Sequence, residues 1–388
     1  MPFLVRTPRY AKILKESLSL LWLPAPGQLA LRLSVIAGGD VSECREEGAM
    51  RFGLFGSAEA GGDAAGTSRG QGFRNYIDYN VEAEALGYHS SFIVEHHFSG
   101  WSQVSATLQL LNWVAARTTT LRVGTAVMVL PWHNPVLLAE QAATLDVLSG
   151  GRLDLGVGKG YRYNEFKGFG IPIEEADARF EEALAILAKA WTSPERFSYQ
   201  GRFWKFDDIV VEPAPLQKPH PPLWMGAANP ASIQRVADRG YNLLLDQYAS
   251  ADALGQRIAL FRSEVERRGH MFDPMNVVVA RDLYVAKNGL DKEEALGRHW
   301  AAQQRTLAVS RDPNRSGGSH ILFYDHAGSD TENSMLYGTP DDIVDKLTSL
   351  QRVGIKYIIL NIGGMSRDSL RSFAREIMPA FTDGPSQE

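Results

Sequence analysis

Four short segments of this chain bring together residue types that do chemistry. Glu95-His96-His97-Phe98 closes an apolar run beginning at Ser90 that reads as a strand. An imidazole at a strand end can take or give a proton near neutral pH. Consecutive strand residues point to opposite sides, so His96 and His97 are not expected to share a metal ion. The plainer reading is one histidine packed into a loop and one in solvent. Trp132-His133-Asn134-Pro135 follows the next apolar run. Asn134 reads either as the N-cap of the helix that Pro135 opens or as an amide facing a ring carbonyl or imide.

The other two segments are rich in glycine and alanine. In Gly156-Val157-Gly158-Lys159-Gly160-Tyr161, alternating glycines let backbone approach a flat or anionic ligand, and Lys159 offers a point charge for a phosphate. No helix follows at the spacing of a dinucleotide fold, and a tight turn is the competing explanation. Gly226-Ala227-Ala228-Asn229-Pro230 opens a helix, with Ser232 in its first turn. Small side chains leave the backbone N–H groups of a helix start uncovered, which makes an anion site; an ordinary junction capped by Asn229 is the alternative. Phe55, Phe98, Trp101, Trp132, Tyr161 and Tyr248 belong to the same strand ends, as an aromatic mouth for a planar cofactor or as core.

The elements that must carry these segments follow a βα rhythm from Met50. Strands are expected at Arg51–Gly56, Ser90–Glu95, Leu121–Leu130, Leu153–Gly158, Leu223–Gly226, Tyr241–Leu245, Val277–Val285 and Lys356–Asn361. Helices are expected at Gly72–Leu86, Gln103–Arg117, Pro135–Leu148, Ile173–Trp191, Pro230–Arg239, Ala253–Arg268, Asp291–Ala308 and Pro340–Arg352. Near-continuous apolar strands alternating with helices indicate a parallel sheet. The fold expected is a (β/α)8 TIM barrel, whose chemistry gathers at the C-terminal ends of its strands. Phe197–Val211 alternates aromatic and polar residues and reads as a hairpin inserted after strand four. Arg311–Tyr337 reads as a long polar loop after strand seven, a lid in function.

Composition narrows the function further. The chain has 388 residues, 44% hydrophobic and 22% charged, with net charge −5. That is globular composition without the basic runs that nucleic-acid binding uses. A single cysteine, Cys44, rules out disulfides within the chain and thiolate metal clusters, which suits a reducing cytoplasm. No stretch reaches the ~20 apolar residues of a membrane helix. Residues 1–49 stand apart, with Arg6, Arg9, Lys12 and Lys15 before an apolar run broken by Pro24 and Pro26. They read as a targeting segment, an accessory helix, or a poorly ordered or non-native extension. Met50 directly before a good first strand favours the last, leaving 50–388 as the domain.

Together the segments RFGLF, SSFIVEHHF, VGTAVMVLPWHNP, LSGGRLDLGVGKGYRYNEFKGFG and YGTPDDIVDKL resemble the bacterial-luciferase-like flavin-dependent monooxygenases. The resemblance runs from Met50 to Phe381. It implies reduced FMN at the barrel mouth, supplied by a separate NAD(P)H-dependent reductase. It further implies oxygen addition to the flavin to give a peroxide, and oxygenation of a small apolar substrate. His96 takes the place of the family's proton-handling histidine and Glu95 that of an acid beside the flavin. Thr125 and Ala126 fall at the strand end beside the ring, with a non-proline cis bond expected at Ala126–Val127. Lys159 and the Gly226–Ser232 loop fall at the phosphate. Gly158 replaces the luciferase's reactive cysteine, which argues against light emission and leaves space on one ring face. Ala227 and Ala228 replace its acidic and hydroxyl phosphate contacts. A homodimer through the second and third helices is also implied, with Ala115, Ala116, Ala139, Ala142 and Ala143 on that side. Two alternatives share the fold: a deazaflavin-dependent hydride-transfer oxidoreductase and a non-catalytic flavin-binding protein.

Overall fold

The computed structural model describes residues 49–61, 68–311 and 329–382; the N-terminal segment 1–48, with Cys44, lies outside them. Eight parallel strands close into a barrel: β1 (Arg51–Gly56), β2 (Ser90–Ile93), β3 (Arg122–Thr125), β5 (Leu153–Gly158), β8 (Leu223–Gly226), β9 (Asn242–Leu245), β10 (Val277–Val285) and β12 (Tyr357–Ile362). Pairing of β12 with β1 completes the ring. A short strand β4 (Met128–Val129) continues beyond β3 and pairs with β5.

Strand alternation sorts the side chains into two cores. Val123, Leu153, Leu155, Val157, Leu223, Leu243 and Leu245 face outward onto the helices. Phe92, Trp224, Val278, Ala280, Tyr357 and Ile359 form a separate cluster that fills the barrel. Burial on both faces is why these strands read as apolar runs rather than as alternations.

Several of the helices start on side-chain caps. α1 is Gln71–Ala85, α2 Thr107–Arg117 and α3 Pro135–Leu148. Asn134 caps α3, its side chain accepting from the N–H groups of Val136 and Leu137 at 3.0 and 3.2 Å. A six-residue helix, α4 (Tyr163–Gly168), occupies what reads in sequence as loop, and α5 (Ala176–Thr192) follows it. α6 is Pro230–Asp238, α7 Ala251–Arg267 and α8 Gly289–Ser310. α2 begins at Thr107 rather than Gln103. The preceding residues are held by another segment, with Val104 N–H donating to Ala58 O and a bridge between Glu59 and Gln103.

The two excursions differ. The hairpin after β5 is present as β6 (Phe197–Gln200) and β7 (Lys205–Ile209), antiparallel and apart from the barrel. Most of the expected lid, residues 312–328, lies outside the described residues. Its last part is regular: α9 (Ser329–Ser334) leads into β11 (Leu336–Gly338), which pairs with the outer end of β10. α10 (Pro340–Arg352) starts on a capping box between Thr339 and Asp342. Among the described residues no helix is long and apolar enough to cross a membrane.

Polar groups plug the N-terminal end of the barrel. Arg122 grips Asp154 with two hydrogen bonds of 2.6 and 3.0 Å, and Tyr357 donates to Ser90 Oγ. His89 sits at the same end, its ring edge-on to Tyr357. Burial, reinforced by Arg51 and Arg122, pushes its imidazole down to about 4. The unfolded chain, titrating near 6.5, therefore takes up this proton first as pH falls. Neutral His89 supports the fold above that value, and the support is lost between it and about 4. The urea midpoint of His89→Phe should fall less steeply over that window than the parent's; parallel curves would contradict this assignment.

Candidate active site

The C-terminal ends of β2, β3 and β5 bring three of the four sequence segments into contact. Glu95 is 1% exposed and fully committed. Its Oε2 accepts the Val129 N–H at 2.7 Å, and its Oε1 meets His97 Nε2 at 3.0 Å and His133 Nε2 at 2.7 Å. Burial alone would raise this carboxyl, but the bonds from His133 and His97 override it and hold the group below the ordinary carboxylate range. Glu95 thus braces the loops after β2 and β3. His97 is the packed histidine, edge-on to Trp132 at 5.3 Å and Phe169 at 4.8 Å.

His96 is placed differently. Its Nδ1 lies 3.0 Å from Glu165 Oε1, an oxygen that also accepts the His97 N–H at 2.9 Å. Nδ1 is therefore the donor, and in the neutral ring Nε2 carries the lone pair. Burial is the main influence on His96 and lowers it below the usual histidine range; Glu165 opposes this and Arg162 adds to it. Arg162 is 5% exposed. Its Nη1 stands 3.8 Å from Glu165, while Nε and Nη1 have no hydrogen-bond partner. Buried guanidinium N–H groups without partners are expensive to keep, which marks a place for an acceptor from outside the chain. Arg162 and Glu165 lie on or beside α4, the element that looks like loop in sequence. The one available signal was a charged pair set among aromatic residues.

The bond Ala126–Val127 is cis, at the position the resemblance implies. Thr125 is buried and spends its hydroxyl on Gly156 O at 2.7 Å. Gly156 is obligatory, because a Cβ there would stand 1.9 Å from Thr125 O. The expected space at Gly158 is corrected: a Cβ there would meet Val127 Cγ2 at 2.5 Å, so the valine occupies it. Open space is found at Gly226 instead, where an added Cβ meets nothing within 4 Å.

The phosphate candidates are partly engaged within the protein. Lys159 is exposed and paired with Asp177 at 2.8 Å. Ala227 donates its N–H to Leu244 O, and Ala228 is half-buried. Ser232 closes a capping box with Asn229, donating its hydroxyl to Asn229 O at 2.8 Å. Asn134 likewise uses its side-chain oxygen as a cap. Tyr161 is half-buried beside Arg162. Of the aromatics, Phe98 and Trp132 meet at the mouth through His97 and Phe169, whereas Phe55 packs inside the barrel. Among the described residues no His, Cys, Asp and Glu cluster is arranged to hold a metal ion. A glycine-lined rim, orphaned Arg162 nitrogens and an open edge at Gly226 do fit a flat ligand with polar edges.

Comparison with known proteins gives the family. The oxygenase component of flavin-dependent trigonelline monooxygenase from Acinetobacter baylyi is 25% identical over 354 residues, 86% of this chain and 96% of that protein. The FMNH(2)-dependent dimethylsulfone monooxygenase of Pseudomonas putida is 25% identical over 323 residues, covering 78% and 87%. The crystal structure of monooxygenase RslO1 from Streptomyces bottropensis superposes with a TM-score of 0.72 at 25% identity, covering 85% of this chain and 99% of that one. The family model of the luciferase-like monooxygenases matches residues 50–357, and the chain belongs to that family of oxidoreductases.

Proposed function

We propose that this chain is the oxygenase of a two-component system. It takes reduced FMN from a separate NAD(P)H-dependent reductase. With O2 it puts one oxygen atom into a small, apolar organic substrate and releases the other as water. The observation that carries this reading is the part-buried His96–Glu165 pair beside the unsatisfied Arg162 at the barrel mouth. Reduced FMN, when bound, supplies the electrons and the oxygen-activating ring. His96 is the catalytic base, holding or moving a proton at Nε2 while Glu165 fixes its tautomer. Arg162 offers N–H donors to the polar edge of the ring. Thr125, Ala126, Asn134 and Tyr161 shape the rim; Gly226, Ala227, Ala228, Ser232 and Lys159 form the phosphate cradle, with Lys159 exchanging Asp177 for the anion. Glu95 is a positioning residue, since both its oxygens are spent on loops.

Stopped-flow oxidation of reduced FMN by O2, with and without the protein, tests the reading. A transient absorbance that free flavin lacks, followed by oxygenated product from a panel of aldehydes, ketones, alkanes and terpenes, is expected. Tight binding of a reduced deazaflavin without any oxygen-dependent transient would turn the assignment to hydride transfer.

A homodimer is part of the proposal, on altered grounds. Ala115, Ala139, Ala142 and Ala143 are buried in the chain's own core, so they do not form a contact surface, whereas Ala116 is exposed. The outer faces of α2 and α3 instead expose Trp113 (65%), Leu137, Val147 and Leu148 (71%). A groove of ≈ 220 Å³ lined by Gln109, Leu137 and Gln141 lies between them. Large exposed apolar side chains on adjacent helices suit a self-complementary interface. Sedimentation should give twice the 42.8 kDa chain mass, and Trp113→Glu with Leu148→Glu should give the monomer. A parent that sediments as a monomer at micromolar concentration sinks the dimer.

A further inference from the structure

A second polar group stands at the mouth, away from His96. Val278 and Ala280 of β10 face the barrel interior with Tyr357 and Ile359 of β12. Two residues further on the same faces come Asp282 and Asn361, paired in register. Asn361 Nδ2 donates to Asp282 Oδ1 at 2.6 Å. Asp282 is 1% exposed, and its other oxygen, Oδ2, has no hydrogen-bond partner.

Helix α8 carries His299 over the same place. The helix reaches across the mouth, since its Arg305 lies 5.1 Å from the ring of Trp101 in the loop after β2. His299 is held edge-on by Trp300 at 5.1 Å and Tyr337 at 6.0 Å, and its buried Nε2 also lacks a partner. Asp282 and His299 act on each other electrostatically without making a hydrogen bond or ion pair. Two orphaned atoms thus share one neighbourhood with nothing to join them.

The surroundings decide what would join them. Burial raises the Asp282 carboxyl, against the pull of His299, Asn361 and Arg281. Tyr248 and Tyr337 are the other titratable neighbours, and burial raises both phenols, so they keep their protons. A cation here would face the Arg281 guanidinium. A neutral oxygen can make one hydrogen bond to each of the two unmet atoms, Asp282 Oδ2 and His299 Nε2.

We propose that Asp282 Oδ2 and His299 Nε2 form the polar end of the substrate pocket and hold one uncharged oxygen of the substrate, a carbonyl or a hydroxyl, between them. The inference rests on the function proposed above only in placing the substrate at this mouth. Asp282 and His299 are binding residues that decide which organic molecules are accepted.

Calorimetric titration of the purified chain with acetophenone, phenol, toluene and benzylammonium tests it, with FMN binding measured separately. Acetophenone or phenol should bind about tenfold or more tighter than toluene, because a site built to hydrogen-bond an oxygen rejects the analogue without one. Asp282→Leu and His299→Phe should each bring the oxygenated probes down to toluene's level while FMN affinity holds. If Asp282→Leu does not fold, His299→Phe, on a half-exposed helix position, carries the test. Benzylammonium as the best ligand, lost in Asp282→Asn, would overturn the proposal in favour of an ionised carboxylate. Absence of any preference for oxygenated probes, or its persistence in both variants, would also overturn it. Failure to bind FMN beside a clear probe preference would instead strike the function proposed above and leave this site standing.

Discussion

Replacing His96 with alanine is expected to lower turnover on any accepted substrate by about 10²–10⁴-fold, the range for losing a positioned proton-transfer group. Flavin affinity should change little, because the orphaned donors belong to Arg162 and the open backbone edge to Gly226. A chain that only carries flavin would show no such split. The pH profile sharpens the test. Burial keeps His96 neutral below the ordinary histidine range, so the acid limb should lie under the usual 6.5. Glu165 raises the His96 value and Arg162 lowers it. Glu165→Gln removes the opposing charge, so the acid limb should move to still lower pH. Movement to higher pH would mean that Glu165 does not act on His96 as drawn.

Glu95→Ala is expected to cost about 3 kcal/mol of stability, since each buried donor left without its acceptor costs about 1–3 kcal/mol. It leaves the Val129 N–H and the Nε2 atoms of His97 and His133 without their acceptor. Glu95→Gln should cost less, because its oxygen still accepts, yet its amide group must turn toward a donor. The carboxyl is held below its usual range. Its contribution is therefore full above that range and lost as pH falls through the folded value, and the glutamine variant should lack this acid limb. Urea unfolding followed by tryptophan fluorescence reads both effects. A midpoint for Glu95→Ala equal to the parent's would mean the cluster is not what braces these loops.

Much of the barrel was legible in the chain because its signals are local. Most strands are short apolar runs, and β1, β5, β8 and β12 end on or beside a glycine. Asn134 before Pro135 and Thr339 before Pro340 start helices at those residues. The hairpin at Phe197–Ile209 announced itself by alternation around a glycine. Local signals misled where tertiary contacts competed with them. Gln103–Ala106 has helix-compatible residues but pairs with the loop after β1. Tyr163–Gly168 forms a helix although glycines flank it, because Phe166 and Glu165 are buried against the neighbouring loops.

The chain alone determined that a parallel barrel forms and that imidazoles, glycines and a helix start collect at one end of it. Only the folded structure decided which groups meet. His96 and Glu165 are 69 positions apart, and Glu95 and His133 are 38 apart. Periodicity and capping depend on neighbours a few residues away. A contact between side chains depends on where ring closure sets each strand end, and on which polar atoms remain unpaired once the core has closed. For that reason Asp282, which in the sequence is simply the acid next to Arg281, is set apart only by the fold, which leaves its second oxygen buried and unmet.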